Sequence, residues 1–158
     1  MPLIRAATTD DEESVVALWV QLLAYHRLIE PVWPHRWSGP RETWHDRLLE
    51  LLRGVWRDPQ RQAVLVAVEG QEIIGFVRVG LHDDGPLPAH IETLFVAEAH
   101  RGAGVARALV EAGERWCLDR GAEEVGVEFI ARNETAQRAY ERLGYRPFLT
   151  TYMRRLRE

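Results

Sequence analysis

Residues 91–107 read IETLFVAEAHRGAGVAR, and this stretch decides the fold. Ile91 to Val96 mix β-branched and aromatic residues at strand length, a composition that suits a pleated, half-buried surface. Gly102-Ala103-Gly104 breaks that run, and a different apolar period begins. Val105, Ala108, Leu109, Ala112 and Trp116 fall at i, i+3, i+4, i+7 and i+11, one face of a helix running to about Asp119. The reading is strand, tight turn, helix. At such a helix start the first N–H groups lack internal partners and the dipole is positive, while glycines let a ligand approach the bare backbone. A diphosphate fits there. The same glycines also serve a plain strand-to-helix connection, so the anion reading needs support from the rest of the chain.

Two better-known phosphate loops are excluded. A G-x-G-x-x-G pattern started at Gly102 requires glycine where Arg107 stands, and a chain without lysine has no G-K-[ST]. What remains is R-x-x-G-x-A, carried by Arg101, Gly104 and Ala106.

The 158 residues suit one domain with a substantial core, an expected 1–158 unit. The composition is that of a soluble globular protein, with no bilayer-length apolar run and no charged-then-apolar leader, so a cytoplasmic location and no membrane partner are expected. Net charge is −4, unevenly spread: residues 1–100 carry 9 Arg against 15 Asp and Glu, residues 101–158 carry 11 against 9. The sign changes at the glycine turn. A polyanionic cofactor beside the second half and a cationic acceptor beside the first would suit that asymmetry, and an acidic chain without a basic stripe argues against nucleic acid. Cys117, the single cysteine, falls inside a helical pattern and reads as packing rather than as a nucleophile. No metal site is expected.

Working outward, Leu3 to Ala6 form a first strand, and Thr9 with Glu12 a capping box before a helix marked by Val15, Leu18, Trp19, Leu22 and His26. A second helix begins near Pro40, with Trp44, Leu48, Leu51, Leu52 and Val55 on one face. The loop between them, PVWPHRWSGP, holds Trp33, His35 and Trp37 and reads either as the wall of an acceptor pocket or as a cover for the core or a homodimer interface. Ala63–Val68 and Ile73–Val79 flank Glu69-Gly70-Gln71-Glu72 as a hairpin, and HDDGPLPA then leads into the strand at residue 91. Beyond the glycine-turn helix, residues 124–130 alternate as a strand. Asn133 caps a helix carrying Ala136, Ala139, Tyr140 and Leu143, closed by Gly144. Asn133 and Tyr140, two turns apart, share a face.

FVAEAHRGAGVARAL resembles the acyl-CoA-binding motif of the GNAT superfamily of N-acetyltransferases, [RQ]-x-x-G-x-[GA] after a strand, with Ala106 in the last position. Asn133, Ala136, Tyr140, Gly144 and Tyr145 resemble that superfamily's second motif, N-x-x-A-x-x-x-Y-x-x-x-G-[YF]. The resemblance spans roughly residues 65–145. It implies an α/β fold with a mixed, mostly antiparallel sheet flanked by helices, and acetyl-CoA as acyl donor. By the same resemblance, the amides of Gly102, Ala103, Gly104, Val105, Ala106 and Arg107, with Arg101 beside them, cradle the CoA diphosphate. The backbone of Leu94, Phe95 and Val96 pairs with the pantetheine arm, Asn133 bonds the pantetheine or its neighbouring phosphate, and Tyr140 faces the sulfur.

The chemistry suits those residue types. An amine attacking a thioester expels a thiolate, and a phenol can donate to it as general acid. The amine, of pKa near ~10.4, must also lose a proton. Three residues compete for that task. Glu92 resembles an acidic position of several GNAT subfamilies, including polyamine acetyltransferases, which read LED where this chain has IET; Glu128 resembles the glutamate of ribosomal-protein N-terminal acetyltransferases; histidine, here His90, titrates near neutrality. If the strand alternates, His90, Glu92, Leu94 and Val96 share one face. A carboxylate is a poor direct base, so a water relay or electrostatic anchoring of the ammonium is expected. The sequence thus reads as an N-acetyltransferase in which a small cationic amine attacks bound acetyl-CoA directly. The alternatives are a protein N-terminal or lysine acetyltransferase, an acyl-CoA-binding module without turnover, and an interaction protein sharing the fold.

Overall fold

The computed structural model describes residues 1–33 and 39–157. His35 and Trp37 therefore lie outside the described residues, while Trp33 is half-buried.

A five-stranded sheet in the order β1-β2-β3-β4-β5 forms the centre. Its strands are β1 (Leu3–Ala6), β2 (Gln62–Glu69), β3 (Glu72–Leu81), β4 (Ala89–Val96) and β5 (Gly126–Val127). Pairing is antiparallel from β1 through β4 and parallel between β4 and β5, the mixed, mostly antiparallel sheet expected. Side chains alternate between two cores. Val64, Val66, Phe76 and Phe95 face α1 (Glu12–Ile29) and α2 (Trp44–Arg57), while Leu65, Ala67, Val77, Val79 and Ile91 face α3 (Val105–Leu118). Tyr140 of α4 (Glu134–Arg142) joins the second core. Burial on both faces explains the near-continuous apolar runs of β2 and β3.

Several local expectations shift. The box before α1 involves Thr8 and Asp11 rather than Thr9 and Glu12: the Thr8 amide donates to Asp11 Oδ2 at 2.8 Å. A single 3₁₀ turn, Thr9–Asp11, moves the helix start on by that much. Leu51 is exposed, so α2 buries Trp44, Leu48, Leu52 and Val55. The buried face of α3 centres on Val105, Leu109, Gly113 and Cys117 rather than on Ala112 and Trp116. Gly113 explains the rotation, because a Cβ there would come within 2.9 Å of Val79 Cγ1; its absence lets the helix press on the sheet.

The largest departure is in β4. Val79 pairs with Ile91 and Arg78 with Thr93, so Glu92 is an extra residue, a β-bulge. Alternation resumes out of phase beyond it. Leu94 and Val96 face α3, whereas His90 and Glu92 face the α1 side, so the four residues do not share one face. Pairing with β5 also stops short. Only His90↔Gly126 and Ile91↔Val127 are formed, not a strand over 124–130, because the bulge bends β4 away one residue later.

Candidate active site

The glycine turn has the geometry that its sequence implies. Gly102 and Gly104 adopt φ of +79° and +80°, the left-handed region that side chains other than glycine enter at a cost. A Cβ at either would meet nothing within 4 Å, so the space before the turn is open. Gly104 caps α3 with no side chain covering the helix start. Among the described residues, no backbone carbonyl accepts from the amides of Gly102 to Arg107. Six N–H groups are thus left at the positive end of a 14-residue helix. No acidic side chain occupies its first turn.

Arg101 fastens this turn to β4. Its Nε donates to the Val96 carbonyl at 3.0 Å, and its guanidinium lies 5.3 Å from the Phe95 ring centroid. Arg107 stands exposed at the outer side, its Nε donating to Glu111 at 2.8 Å. Beyond Ile91 no described strand pairs with β4 on its β5 side. An open main-chain edge therefore runs along residues 93–96 into the turn.

Asn133 acts as the α4 cap, its Oδ1 accepting from the Ala136 amide at 3.1 Å. This leaves its amide NH₂ as a donor for other use. Tyr140 is buried, stacked 5.7 Å from Phe129 and edge-on to Tyr145 at 5.3 Å. Burial pushes its phenol pKa well above the ordinary value, so the group stays protonated and is a donor rather than a base. Tyr145 is tied off, its hydroxyl donating to Glu114 Oε1 at 2.7 Å.

Across the sheet, Glu92 joins a cluster. One carboxylate oxygen hydrogen-bonds His82 Nε2, and the other lies 3.8 Å from Arg78 Nη2. Arg78 in turn sits 5.6 Å over the Trp19 ring of α1. His90 packs beside His82 with ring centroids 4.6 Å apart. His90 and Glu92, weighed separately from sequence, are thus brought together. Glu128 lies past the end of β5 and is exposed. Tyr140 packs on the α3 side while Glu92 faces the α1 side with His90, so the two lie on opposite faces of the sheet.

Residues 26–145 match the family described as Acetyltransferase (GNAT) family. The chain belongs to the GNAT acetyltransferase family. The class expected from the two motifs, an acyltransferase drawing on acetyl-CoA, is this family's own. The mycothiol acetyltransferase of Corynebacterium efficiens is 33% identical over 110 residues, which cover 69% of this chain but only 36% of that protein. Among solved structures, a tetramutant of the BH1408 protein of Bacillus halodurans superimposes with a TM-score of 0.80 at 24% identity, over 98% of this chain and 99% of that one. AAC(6')-Iy, solved with the bisubstrate analogue CoA-S-monomethyl-acetylneamine, gives 0.73 at 23% identity over 99% of each chain. At those identities the two structures share the GNAT fold with this chain.

Two residues of the cluster escaped the sequence reading, His82 and Arg78. The signal for His82 was the short HDDGPLPA loop, whose ends close on each other through the His82 amide and the Pro88 carbonyl at 2.9 Å. Arg78 sat inside an apolar strand, and its register opposite Thr93 depends on the bulge. Cys117 is buried, and burial pushes its thiol up to about 11, which suits packing and not nucleophilic attack. No described helix is long and apolar enough to cross a membrane.

Proposed function

We propose that this chain transfers the acetyl group of acetyl-CoA to a primary amine of a small cationic molecule, by direct attack in a ternary complex. The observation that carries the reading is the row of amides from Gly102 to Arg107, without backbone acceptors, lying next to the open edge of β4.

Acetyl-CoA supplies an activated thioester, and the rest falls to the chain. The six amides and the helix dipole hold the diphosphate, with the guanidinium groups of Arg101 and Arg107 on either side. The free main-chain groups of Leu94, Phe95 and Val96 orient the pantetheine arm. The Val96 carbonyl already accepts from Arg101, so the pairing rests on the others. Asn133 contributes its NH₂ group. Glu92 anchors the ammonium from the α1 side, and as the amine attacks, its proton passes through water to the Glu92 carboxylate. Tyr140 donates to the sulfur from the α3 side as the tetrahedral intermediate collapses and the C–S bond breaks.

The acidic balance of residues 1–100 favours a cationic acceptor. Two of the similar proteins carry small molecules in their names, a mycothiol acetyltransferase and AAC(6')-Iy with its acetylneamine bisubstrate analogue, which supports a small acceptor. Initial rates of thiol release from acetyl-CoA across polyamines, aminoglycosides, amino acids and short peptides test the acceptor class. The expected result is a kcat/KM at least ~10-fold higher for small cationic amines. Preference for peptides would overturn it.

A further inference from the structure

We propose that His82, His90 and Glu92 form a binding site for a divalent transition-metal ion of the zinc class. The three donors, one ring nitrogen from each histidine and a carboxylate oxygen, all lie within 4.8 Å of one another. Backbone register brings them together. His90 is paired with Gly80 across β3 and β4, His82 lies two residues beyond Gly80, and Glu92 stands at the bulge two residues beyond His90.

Gly80 supplies an independent observation. Its φ is not in the left-handed region, so the backbone does not require glycine there. A Cβ at this position would lie 3.1 Å from Glu92 Oε1 and 3.6 Å from His82 Nε2. The missing side chain therefore opens the space between two of the donors.

Donor chemistry selects the ion. Two imidazoles and one carboxylate suit zinc and its neighbours in the first transition row, whereas calcium and magnesium take oxygen ligands. Three protein ligands leave a fourth position for water or another ligand. Arg78, 3.8 Å from the second oxygen of Glu92, holds the carboxylate with its first oxygen toward the histidines. The ring of His82, 40% exposed at the mouth of its loop, is free to shift and widen its present contact with Glu92 to metal-ligand spacing.

An ion there takes up the carboxylate that the proposed function assigns to the acceptor ammonium. Metal and amine then exclude each other. Only this second step rests on that reading; the site itself does not.

Zinc retention by tag-free, metal-stripped protein after equilibrium dialysis tests the site. One equivalent should be retained, and it should be lost in His82→Ala, His90→Ala and Gly80→Val. His45→Ala should keep it, since His45 lies on α2 beside Glu13 and Asp46. Melting of each apo variant confirms that it is folded. No retained zinc, or zinc retained at full stoichiometry in both cluster histidine variants, would overturn the site. In acetyl transfer, zinc should raise the amine KM and chelator should restore it. Zinc retained with no change in amine KM would uphold the metal site and remove Glu92 from the acceptor-binding role.

Discussion

The guanidinium of Arg78 lies 3.8 Å from the carboxylate of Glu92, on the face of the sheet opposite α3. Arg78 is itself hemmed in: its Nε is buried and has no hydrogen-bond partner among the described residues. The register places Arg78 opposite Thr93 and beside Glu92, and the β-bulge at Glu92 turns Leu94 to the other face, where strict alternation from His90 would have kept it next to this pair. The carboxylate thereby lies on the α1 side of the sheet, beside His82 and Arg78.

Glu92→Gln should lower kcat/KM for the amine by ~10²-fold while leaving acetyl-CoA affinity within twofold. It should also destabilise the protein by ~1–2 kcal/mol, because Arg78 loses its counter-charge in a half-buried setting. Steady-state kinetics and urea melts measure the two effects. Unchanged kinetics would restrict Glu92 to the ion pair.

Tyr140→Phe keeps the ring that stacks on Phe129 and meets Tyr145. Stability should therefore change by no more than ~0.5 kcal/mol, while kcat falls by ~10²-fold. Wild-type turnover would make Tyr140 a packing residue.

Gly104→Ala places a side chain at φ +80° but against no neighbour. The cost is backbone strain alone, ~1 kcal/mol. The Cβ also projects into the open space before the turn, so acetyl-CoA should bind at least ~10-fold more weakly, as read by titration calorimetry. A variant that binds acetyl-CoA normally would move the diphosphate elsewhere.

Arg5 holds Asp11 through a hydrogen bond of 2.7 Å, drawing its carboxyl pKa from 3.8 down to about 2. A folded-state pKa below the unfolded one adds stability that is fully present above pH ~4 and lost as the pH falls from there toward ~2. Asp11→Asn should flatten that part of the acid limb. Urea midpoints measured between pH 6 and pH 2.5 on both proteins check this.

Much of the fold was legible because the glycine turn, the β2–β3 hairpin and the capped α4 each carry local signals. Gly102, Gly104 and Gly144 all take the positive φ that a turn or helix stop needs. That Leu94 and Val96 turn to the face opposite His90 and Glu92 was not legible, because a bulge is set by pairing with β3 and leaves no mark in the residues of β4. The length of β5 was hidden for the same reason. Asn133 was readable as a cap, and the structure bears out that role. The His82–Glu92 contact needed the three-dimensional closure of the HDDGPLPA loop, which residue types alone do not specify.

The central claim is direct transfer from acetyl-CoA, held at the glycine turn, to an amine. Initial velocities of thiol release with acetyl-CoA and one small cationic amine varied together test it most directly. The account predicts amine-dependent release with intersecting double-reciprocal lines, the signature of a ternary complex. Release that does not depend on the amine, or parallel lines from an acyl-enzyme, would contradict it.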